Sequence, residues 1–339
     1  MKISPGKWKG LQAVSNSRGV IAALAIDQRS ALRNLFAKAM CVEPEDVPRQ
    51  ALEKYKEAVS RILTPHASAI LLDPEYGLPA ARQRAANAGL LLAYEQSGYD
   101  KSEPGRLPRL LDNYSVKRLV TEGADCVKVL LYYSPFSSTK VNAQKHAWVQ
   151  RIGAECTASD VPFFLEIVSY DDGMDEQRVE FARIKPDVTA RSMEEFSRPE
   201  YAVDVIKVGV PVNMAFVKGQ HSDSGTAAYT REEAKAHFLR AASSARRPFI
   251  YLSEGVSNEM FNDALELAVE AGANFCGVLC GRATWKDGVP IFATKGVQAL
   301  EDWLSNQGTK NIQEVNARVA HAKPWFEIYG ATSASALTT

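Results

Sequence analysis

The sequence predicts an α/β protein built as a (β/α)8 TIM barrel, and three observations favour this fold class. Eight short runs of apolar, β-rich sequence recur along the 339 residues. Most of these runs are almost continuously hydrophobic, as expected of parallel strands that helices cover. Segments with helical periodicity separate the runs, and strand–helix alternation over eight strands is typical of a closed barrel.

An open, doubly wound sheet is the alternative arrangement of the same elements. A sheet of that kind that binds a dinucleotide often carries a G-x-G-x-x-G sequence after its first strand. No such sequence follows the first apolar run, Gly19–Asp27. We therefore prefer the closed barrel.

The first predicted strand leads directly into Asp27, Gln28 and Arg29, which distinguishes it from a signal peptide with a small-residue cleavage site. The other strands follow in order. The eight runs are Gly19–Asp27, Ala67–Asp73, Gly89–Glu95, Cys126–Tyr133, Pro162–Tyr170, Val203–Pro211, Pro248–Gly255 and Phe275–Gly281.

The predicted helices lie between these strands and after the last one. In the first helix, four apolar residues share one face. Gly123 and Gly272 each precede an alanine just before a strand, a pattern that ends a helix. The helical segments are Pro48–Leu63, Ser115–Glu122, Asn142–Cys156, Thr230–Ala245 and Asn258–Ala271, with about Gly296–Asn306 and Ile312–Ala320 after strand eight.

We expect one domain over residues 1–330, because no linker or internal repeat interrupts the pattern. Residues 1–18 are expected to lie across the barrel as an N-terminal extension. Residues 331–339 are small and polar, and we expect this tail to be disordered.

Composition excludes several classes of function. Forty basic residues balance forty acidic ones, so no net charge attracts nucleic acid or a membrane surface. No run approaches the roughly 18 apolar residues of a membrane helix. The five cysteines include no CxxC pair, which favours reduced thiols in the cytoplasm. We also expect a homo-oligomer.

Charged residues within three neighbouring strands are the central feature of the predicted site. Lys128 lies in strand four, Glu166 in strand five and Lys207 in strand six. Residues from alternate strands share a layer of the barrel interior, so the two lysines are expected to face each other beside the carboxylate. A buried salt-bridge cluster with a purely structural role is the alternative.

Lysine chemistry follows from this arrangement. A buried lysine beside another cation has its pKa lowered, and a neutral amine can form a Schiff base with a ketone. Glu166 is placed to move the protons that carbinolamine formation and carbon–carbon cleavage require. These arguments leave open which of Lys128 and Lys207 is the nucleophile.

A phosphate site is predicted after strands seven and eight, where this fold often has one. Glycine N–H groups, a hydroxyl and a guanidinium suit a phosphate, and Ser253, Gly255, Gly281 and Arg282 supply them. Arg29, across the mouth, is a candidate for a second anion, with a surface salt bridge as the alternative.

A metal site is not predicted, and no cofactor is expected. Zinc requires clustered ligands, usually including histidine. No histidine lies at a predicted strand end, and no pair has ligand spacing; the five are His66, His146, His221, His237 and His321.

The assembled residues resemble the class I tagatose 1,6-bisphosphate aldolase family. The similarity runs over about residues 10–328, with long motifs in the same order. These motifs are Ala25–Arg29, Ile70–Gly77, Gly89–Glu95, Val127–Tyr133, Pro162–Tyr170, Asp204–Val208 with Pro211–Met214, and Gly277–Trp285.

The resemblance implies roles for the site residues. Lys207 would form the Schiff base, Glu166 would be the acid/base and Lys128 its cationic neighbour. Asp27 and Gln28 would meet substrate hydroxyls. The resemblance also assigns the two phosphates: Ser253, Gly255 and Arg282 would hold the C1 phosphate, and Arg29 the C6 phosphate.

The predicted function is cleavage of a sugar phosphate, D-tagatose 1,6-bisphosphate, without metal. The chain departs from the family pattern in Ser134–Val141, in Gly219–Ala228 and after Tyr329. The first two segments follow strands four and six, so the distal half of the substrate stays open. Alternatives are fructose 1,6-bisphosphate, 6-deoxy-6-sulfofructose 1-phosphate, a deoxyribose phosphate, or a non-catalytic sugar-phosphate sensor.

Overall fold

Eight parallel strands close into a barrel in chain order, and β8 pairs with β1. The computed structural model describes residues 3–100, 102–219 and 226–337. Each strand lies within one of the predicted runs, and the predicted fold class is confirmed. The strands are β1 (Ile21–Ala25), β2 (Ala69–Leu72), β3 (Gly89–Ala93), β4 (Cys126–Tyr133), β5 (Phe163–Ser169), β6 (Val205–Gly209), β7 (Phe249–Leu252) and β8 (Gly277–Cys280).

Helices surround this barrel and continue after its last strand. They are α1 (Pro5–Ala13), α2 (Ser30–Met40), α3 (Arg49–Leu63), α4 (Leu78–Ala81), α5 (Val116–Thr121), α6 (Thr139–Ala158), α7 (Val179–Phe196), α8 (Arg231–Ser244), α9 (Asn258–Glu270), α10 (Arg282–Trp285), α11 (Gly288–Trp303), α12 (Thr309–Val319) and α13 (Trp325–Ile328). Short 3-10 helices lie at Pro44–Asp46, Thr64–His66, Pro199–Tyr201, Met214–Phe216 and Ala334–Leu337, and a π-helix at Leu304–Gly308.

Two of the longer helices were not predicted from the sequence pattern. α2 begins directly after the polar residues that end the first apolar run. α7 contains Pro186 in its interior, where a missing N–H normally argues against a helix. Tertiary packing stabilises α7 nevertheless, because Phe181, Val188 and Phe196 are fully or almost fully buried.

Strand alternation divides the core into an inner and an outer part. Ile21, Ala23 and Ala25 point into the barrel with small and medium side chains from the other strands. Leu24, between them, packs outward with the residues of the surrounding helices. The interior positions of β4, β5 and β6 follow the same period of two, which determines where their charged residues point.

The N-terminal end of the barrel is closed by α1, which lies across it as predicted. Lys7 Nζ lies 2.8 Å from Asp204 Oδ2, just before β6. The Ser68 hydroxyl, before β2, donates to the Val14 carbonyl at 2.7 Å. A Cβ at Gly10 would lie 2.4 Å from the Asp125 carbonyl oxygen, so only glycine permits this close approach. α1 therefore covers the N-terminal end of the barrel interior.

The C-terminal tail contacts this same end of the barrel. The Trp8 indole donates to the Ala334 carbonyl at 2.9 Å. The domain limit at residue 330 and disorder beyond it stay predictions. None of the described helices combines the length and the apolar character needed to cross a membrane.

Candidate active site

The predicted cluster of Lys128, Glu166 and Lys207 exists inside the barrel. β5 and β6 are paired so that Glu166 is in register with Lys207. All three residues are buried. A buried charge is costly unless it is paired and hydrogen-bonded, so the partners of each group determine its chemistry.

Lys128 binds three carboxylates. Its Nζ lies 2.8 Å from Asp27 Oδ2, 2.9 Å from Glu95 Oε1 and 2.8 Å from Glu166 Oε2. An ammonium group has three N–H donors, so this set matches its capacity. Burial opposes the charge, but the carboxylates of Asp27, Glu166 and Glu95 raise the pKa of Lys128 well above its ordinary value.

Lys128 is therefore a permanent cation at neutral pH. The sequence argument that a second lysine lowers the pKa of its neighbour is wrong for Lys128, because the attraction of three carboxylates exceeds both burial and repulsion. A lysine that keeps its proton is not a nucleophile.

Lys207 has a different environment. Its Nζ lies 2.8 Å from Glu166 Oε2, and no second ion pair of Lys207 occurs within the described residues. Its side chain is 3% exposed, whereas that of Lys128 is 0% exposed. The two lysines that the sequence left equivalent are thus distinct in charge compensation and in access.

Glu166 and Asp27 are ionised in this environment. Burial alone would raise the pKa of each carboxyl, but Lys128 and Lys207 together hold both pKa values below their ordinary range. Both groups are consequently in the form that accepts protons.

Two buried acceptors line the cavity without a hydrogen-bond donor from the described residues. They are Oδ1 of Asp27 and Oε1 of Gln28. An unpaired buried acceptor costs about 1–3 kcal/mol. Hydroxyl groups of a ligand would satisfy both atoms.

Glu95 is a site residue that the sequence reasoning missed. It follows β3, accepts from Lys128, and its Oε2 accepts from the Leu130 N–H at 3.1 Å. Its position at the end of the third apolar run is the same signal that selected the other strand-end residues.

Arg29 forms salt bridges, but the residue is buried, whereas the alternative prediction was a salt bridge at the surface. One guanidinium nitrogen lies 2.8 Å from Glu75 Oε2, and another donates to the Glu95 carbonyl at 2.7 Å and lies 3.6 Å from Glu95 Oε1. Burial opposes the charge, but Glu95 and Glu75 raise the pKa of Arg29. Arg29 still lines the cavity.

The predicted phosphate residues come together at the ends of β7 and β8. Gly255 has a φ of 85°, and a Cβ there would lie 2.5 Å from Cζ of Arg282, so glycine lets the guanidinium approach the backbone. Ser253 is buried beside them and lines the cavity with Arg282. Gly281 precedes α10 and adjoins the Gln28 amide.

One cavity of about 760 Å³ lies at the C-terminal end of the barrel, and its lining includes Glu166, the ion-pair partner of Lys207. The charged and polar residues that line it include Asp27, Gln28, Glu95, Glu166 and Arg282. In the ranges that the structure describes, no three His, Cys, Asp or Glu side chains are grouped to hold a metal ion.

Comparison with known proteins gives consistent matches. A sequence model described as DeoC/LacD family aldolase matches residues 21–287. Tagatose 1,6-diphosphate aldolase 2 of Enterococcus faecalis is 51% identical over 321 residues, which is 94% of this chain and 95% of that protein. The tagatose 1,6-diphosphate aldolase of Staphylococcus aureus is 48% identical, over 93% and 96% of the two chains.

Solved structures show the same fold at low sequence identity. A fructose-bisphosphate aldolase from Plasmodium falciparum has a TM-score of 0.68 at 12% identity, covering 95% of this chain and 97% of that one. A Schiff-base-forming fructose-1,6-bisphosphate aldolase has a TM-score of 0.51 at 13% identity, over 87% and 97% of the two chains.

Proposed function

This chain belongs to the DeoC/LacD family of aldolases, and we propose from that premise that it cleaves D-tagatose 1,6-bisphosphate through a Schiff base. The products are dihydroxyacetone phosphate and glyceraldehyde 3-phosphate. Relatives that are 45–51% identical over most of the chain are named for this substrate. The resemblance predicted from the sequence is confirmed.

The contrast between the two lysines carries the proposed mechanism. Lys128 has its three donors occupied by carboxylates, while Lys207 has one carboxylate and some exposure. We assign Lys207 as the nucleophile. Glu166, ionised and 2.8 Å from Lys207 Nζ, can accept the proton that an amine must lose before it attacks a carbonyl.

The reaction follows from these positions. The neutral Lys207 amine attacks the C2 carbonyl, and the carbinolamine loses water to give an iminium ion. A carboxylate removes the proton of the C4 hydroxyl, the C3–C4 bond breaks, and its electron pair moves into the iminium to form an enamine. The aldehyde leaves, C3 gains a proton, and water releases the ketone product. Glu166, ionised and within 2.8 Å of Lys207 Nζ, is the proposed carrier of these protons.

The remaining groups orient the sugar. The unpaired oxygens of Asp27 and Gln28 accept hydrogen bonds from substrate hydroxyls. Ser253, Gly255 and Arg282, with Gly281 beside them, hold the C1 phosphate on the far side of Lys207. This places the ketone at the amine and the rest of the sugar across the mouth.

Reductive trapping tests the assignment. Borohydride added with dihydroxyacetone phosphate is expected to leave a stable adduct on Lys207, located by peptide mass spectrometry. The matched control is Lys207→Met, which should give no adduct, and dialysis against EDTA should leave the rate unchanged. An adduct on Lys128, or EDTA-sensitive activity with no adduct, contradicts the proposal.

The choice of sugar is tested separately. Fructose 1,6-bisphosphate differs from the proposed substrate only in the configuration at C4, and a site that binds both phosphates need not distinguish one hydroxyl strongly. We expect kcat/KM to be highest for the tagatose ester among the C4 epimers, 6-deoxy-6-sulfofructose 1-phosphate and deoxyribose phosphate. Binding without turnover of any of them would favour the sensor function.

We infer a cytoplasmic location and a homo-oligomeric state. All five cysteines are free thiols in the described structure, and four are buried, which suits a reducing compartment. Light scattering on the purified protein measures its molar mass, and a value of 37.2 kDa, that of one chain, would contradict the oligomer.

A further inference from the structure

The distal anion of the substrate needs a cation other than Arg282. Arg29 was the sequence candidate, but Glu75 and Glu95 already compensate its charge and the side chain is 6% exposed. The same cavity is lined by Arg106, in the segment between β3 and α5. This inference rests on the proposed function and concerns the other end of the same substrate.

Arg106 is held on a platform of aromatic rings. Its Cζ lies 5.2 Å from the centroids of Tyr99 and Tyr132 and 4.6 Å from that of Tyr170. Such stacking fixes the plane of a guanidinium and leaves its edges free for hydrogen bonds. The Arg106 backbone has a φ of 46°, a conformation that costs free energy for a residue other than glycine.

The position of Arg106 fits a distal group. Tyr132 lies four residues beyond Lys128 on β4, on the same face of the strand and about 13 Å further toward the mouth, at roughly 3.3 Å per residue. β4 is half-way round the barrel from β8, where Arg282 follows. A sugar held at C1 beside Arg282 and at C2 by Lys207 thus extends toward Arg106.

Glu176 is an ion-pair partner of Arg106. Its Oε1 lies 2.7 Å from Nη2 of Arg106, and 32% of the Glu176 side chain is exposed. Burial raises the pKa of Tyr132 to about 12, so its hydroxyl stays protonated and can donate to an anion. We propose that Arg106, stacked on Tyr132 and Tyr170, binds the distal phosphate of the substrate in exchange for Glu176.

Kinetics with two substrates test this role. Arg106→Gln is expected to raise KM for the ketose 1,6-bisphosphate by about 10- to 100-fold, as for loss of one charge-assisted contact. KM for the corresponding ketose 1-phosphate should change by less than about 2-fold, because that sugar has no distal charge. Glu176→Gln is expected to lower KM for the bisphosphate, because the competing carboxylate is gone.

Controls separate this inference from the proposed function. Arg118→Gln removes the same charge from an exposed arginine on α5 that stacks on Tyr114 and does not line the cavity, and we expect less than about a 2-fold change in either KM. Dihydroxyacetone phosphate has no distal group, so borohydride should still trap it on Lys207 in Arg106→Gln. If trapping fails in the unmodified protein, the proposed function fails.

Three outcomes overturn the inference while trapping is intact: equal losses on both sugars, no loss on the bisphosphate, or a higher KM in Glu176→Gln. The 6-sulfo sugar distinguishes the chemical source of the anion. We expect Arg106→Gln to affect it less than the bisphosphate, and an equal or larger effect would overturn the assignment to phosphate.

Discussion

Charge compensation distinguishes two lysines that are similar in sequence. Both lie in apolar strands, yet Lys128 faces three carboxylates and Lys207 faces one within the described residues. Lys128 is a fixed positive charge, and Lys207 is the nucleophile in the mechanism that we propose. The chemistry of each group is therefore a property of its neighbours.

Lys128→Met is expected to destabilise the protein by about 3–5 kcal/mol at neutral pH, because it leaves buried carboxylates unpaired. Lys207→Met should cost much less, since Lys128 still neutralises Glu166. Both variants should lose activity. Urea unfolding measures the difference, and equal losses of stability would contradict the unequal roles of the two lysines.

The loss of stability in Lys128→Met is expected to depend on pH in a definite direction. The pKa values of Asp27 and Glu166 are lowered in the folded protein, so their stabilising effect is complete above the ordinary values of 3.8 and 4.5 and is lost as pH falls through the folded values. In Lys128→Met the effect of burial on these two carboxyl groups dominates. Their protonation then removes the free-energy cost of burying a negative charge. The stability gap between wild type and Lys128→Met should therefore be largest near neutral pH and shrink below about pH 4. A gap that widens in acid would contradict the pairing.

At the scale of elements, β6 and α7 position the segment Ser253–Gly255 after β7, which we propose binds the C1 phosphate and call the phosphate segment. Glu254 has a φ of 49°, and its Oε2 lies 2.7 Å from Lys185 Nζ on α7. Gly209, at the end of β6, leaves room for that carboxylate, because a Cβ there would lie 2.3 Å from Glu254 Oε1. Lys185 thus positions the residue between Ser253 and Gly255.

Lys185→Met is expected to raise KM for the bisphosphate by about 10-fold and to change kcat by less than about 2-fold, as when one charged contact is lost from binding alone. Lys185→Arg, which keeps the charge, should restore most of the affinity. Steady-state kinetics measure both constants. A fall in kcat at unchanged KM would show that Lys185 does not act through the phosphate segment.

At the scale of the whole molecule, the two ends of the barrel differ in structure. The C-terminal end carries the charged cluster and the cavity, while α1 and the tail close the N-terminal end. Asp204 connects the closed end to β5 and α1, since it accepts from Lys7 and from the Phe163 N–H at 2.9 Å.

Lys7→Met is expected to destabilise the protein by about 3 kcal/mol, because it removes the ammonium that lies 2.8 Å from the buried Asp204 carboxylate. Activity at a temperature where the variant is folded should stay within about 2-fold of wild type, since α1 lies at the end opposite the cavity. Thermal unfolding measures the expected loss of stability, and kcat/KM measures the retained activity. A large loss of kcat/KM in folded protein would contradict the separation of the two ends.

The sequence by itself determined the strands, their order and the strand positions of Lys128, Glu166 and Lys207. Hydrophobic periodicity is a local property, and a period of two fixes which residues share a face of a strand. For the same reason Asp27, Gln28, Ser253 and Arg282 were found at strand ends. α7 escaped prediction because Pro186 breaks the local rule and only packing compensates.

Only the tertiary structure decided which charges pair. Lys128 is 101 residues from Asp27 and 33 from Glu95, and Arg29 is 66 from the Glu95 carbonyl that it binds. Barrel closure brings the paired atoms within about 3 Å of each other. At that distance the attraction between opposite charges competes with the cost of burial. Those distances are contained in no local pattern, so only the structure shows that Lys128 has three carboxylate partners, that Lys207 has one within the described residues, and that Arg29 pairs with carboxylates.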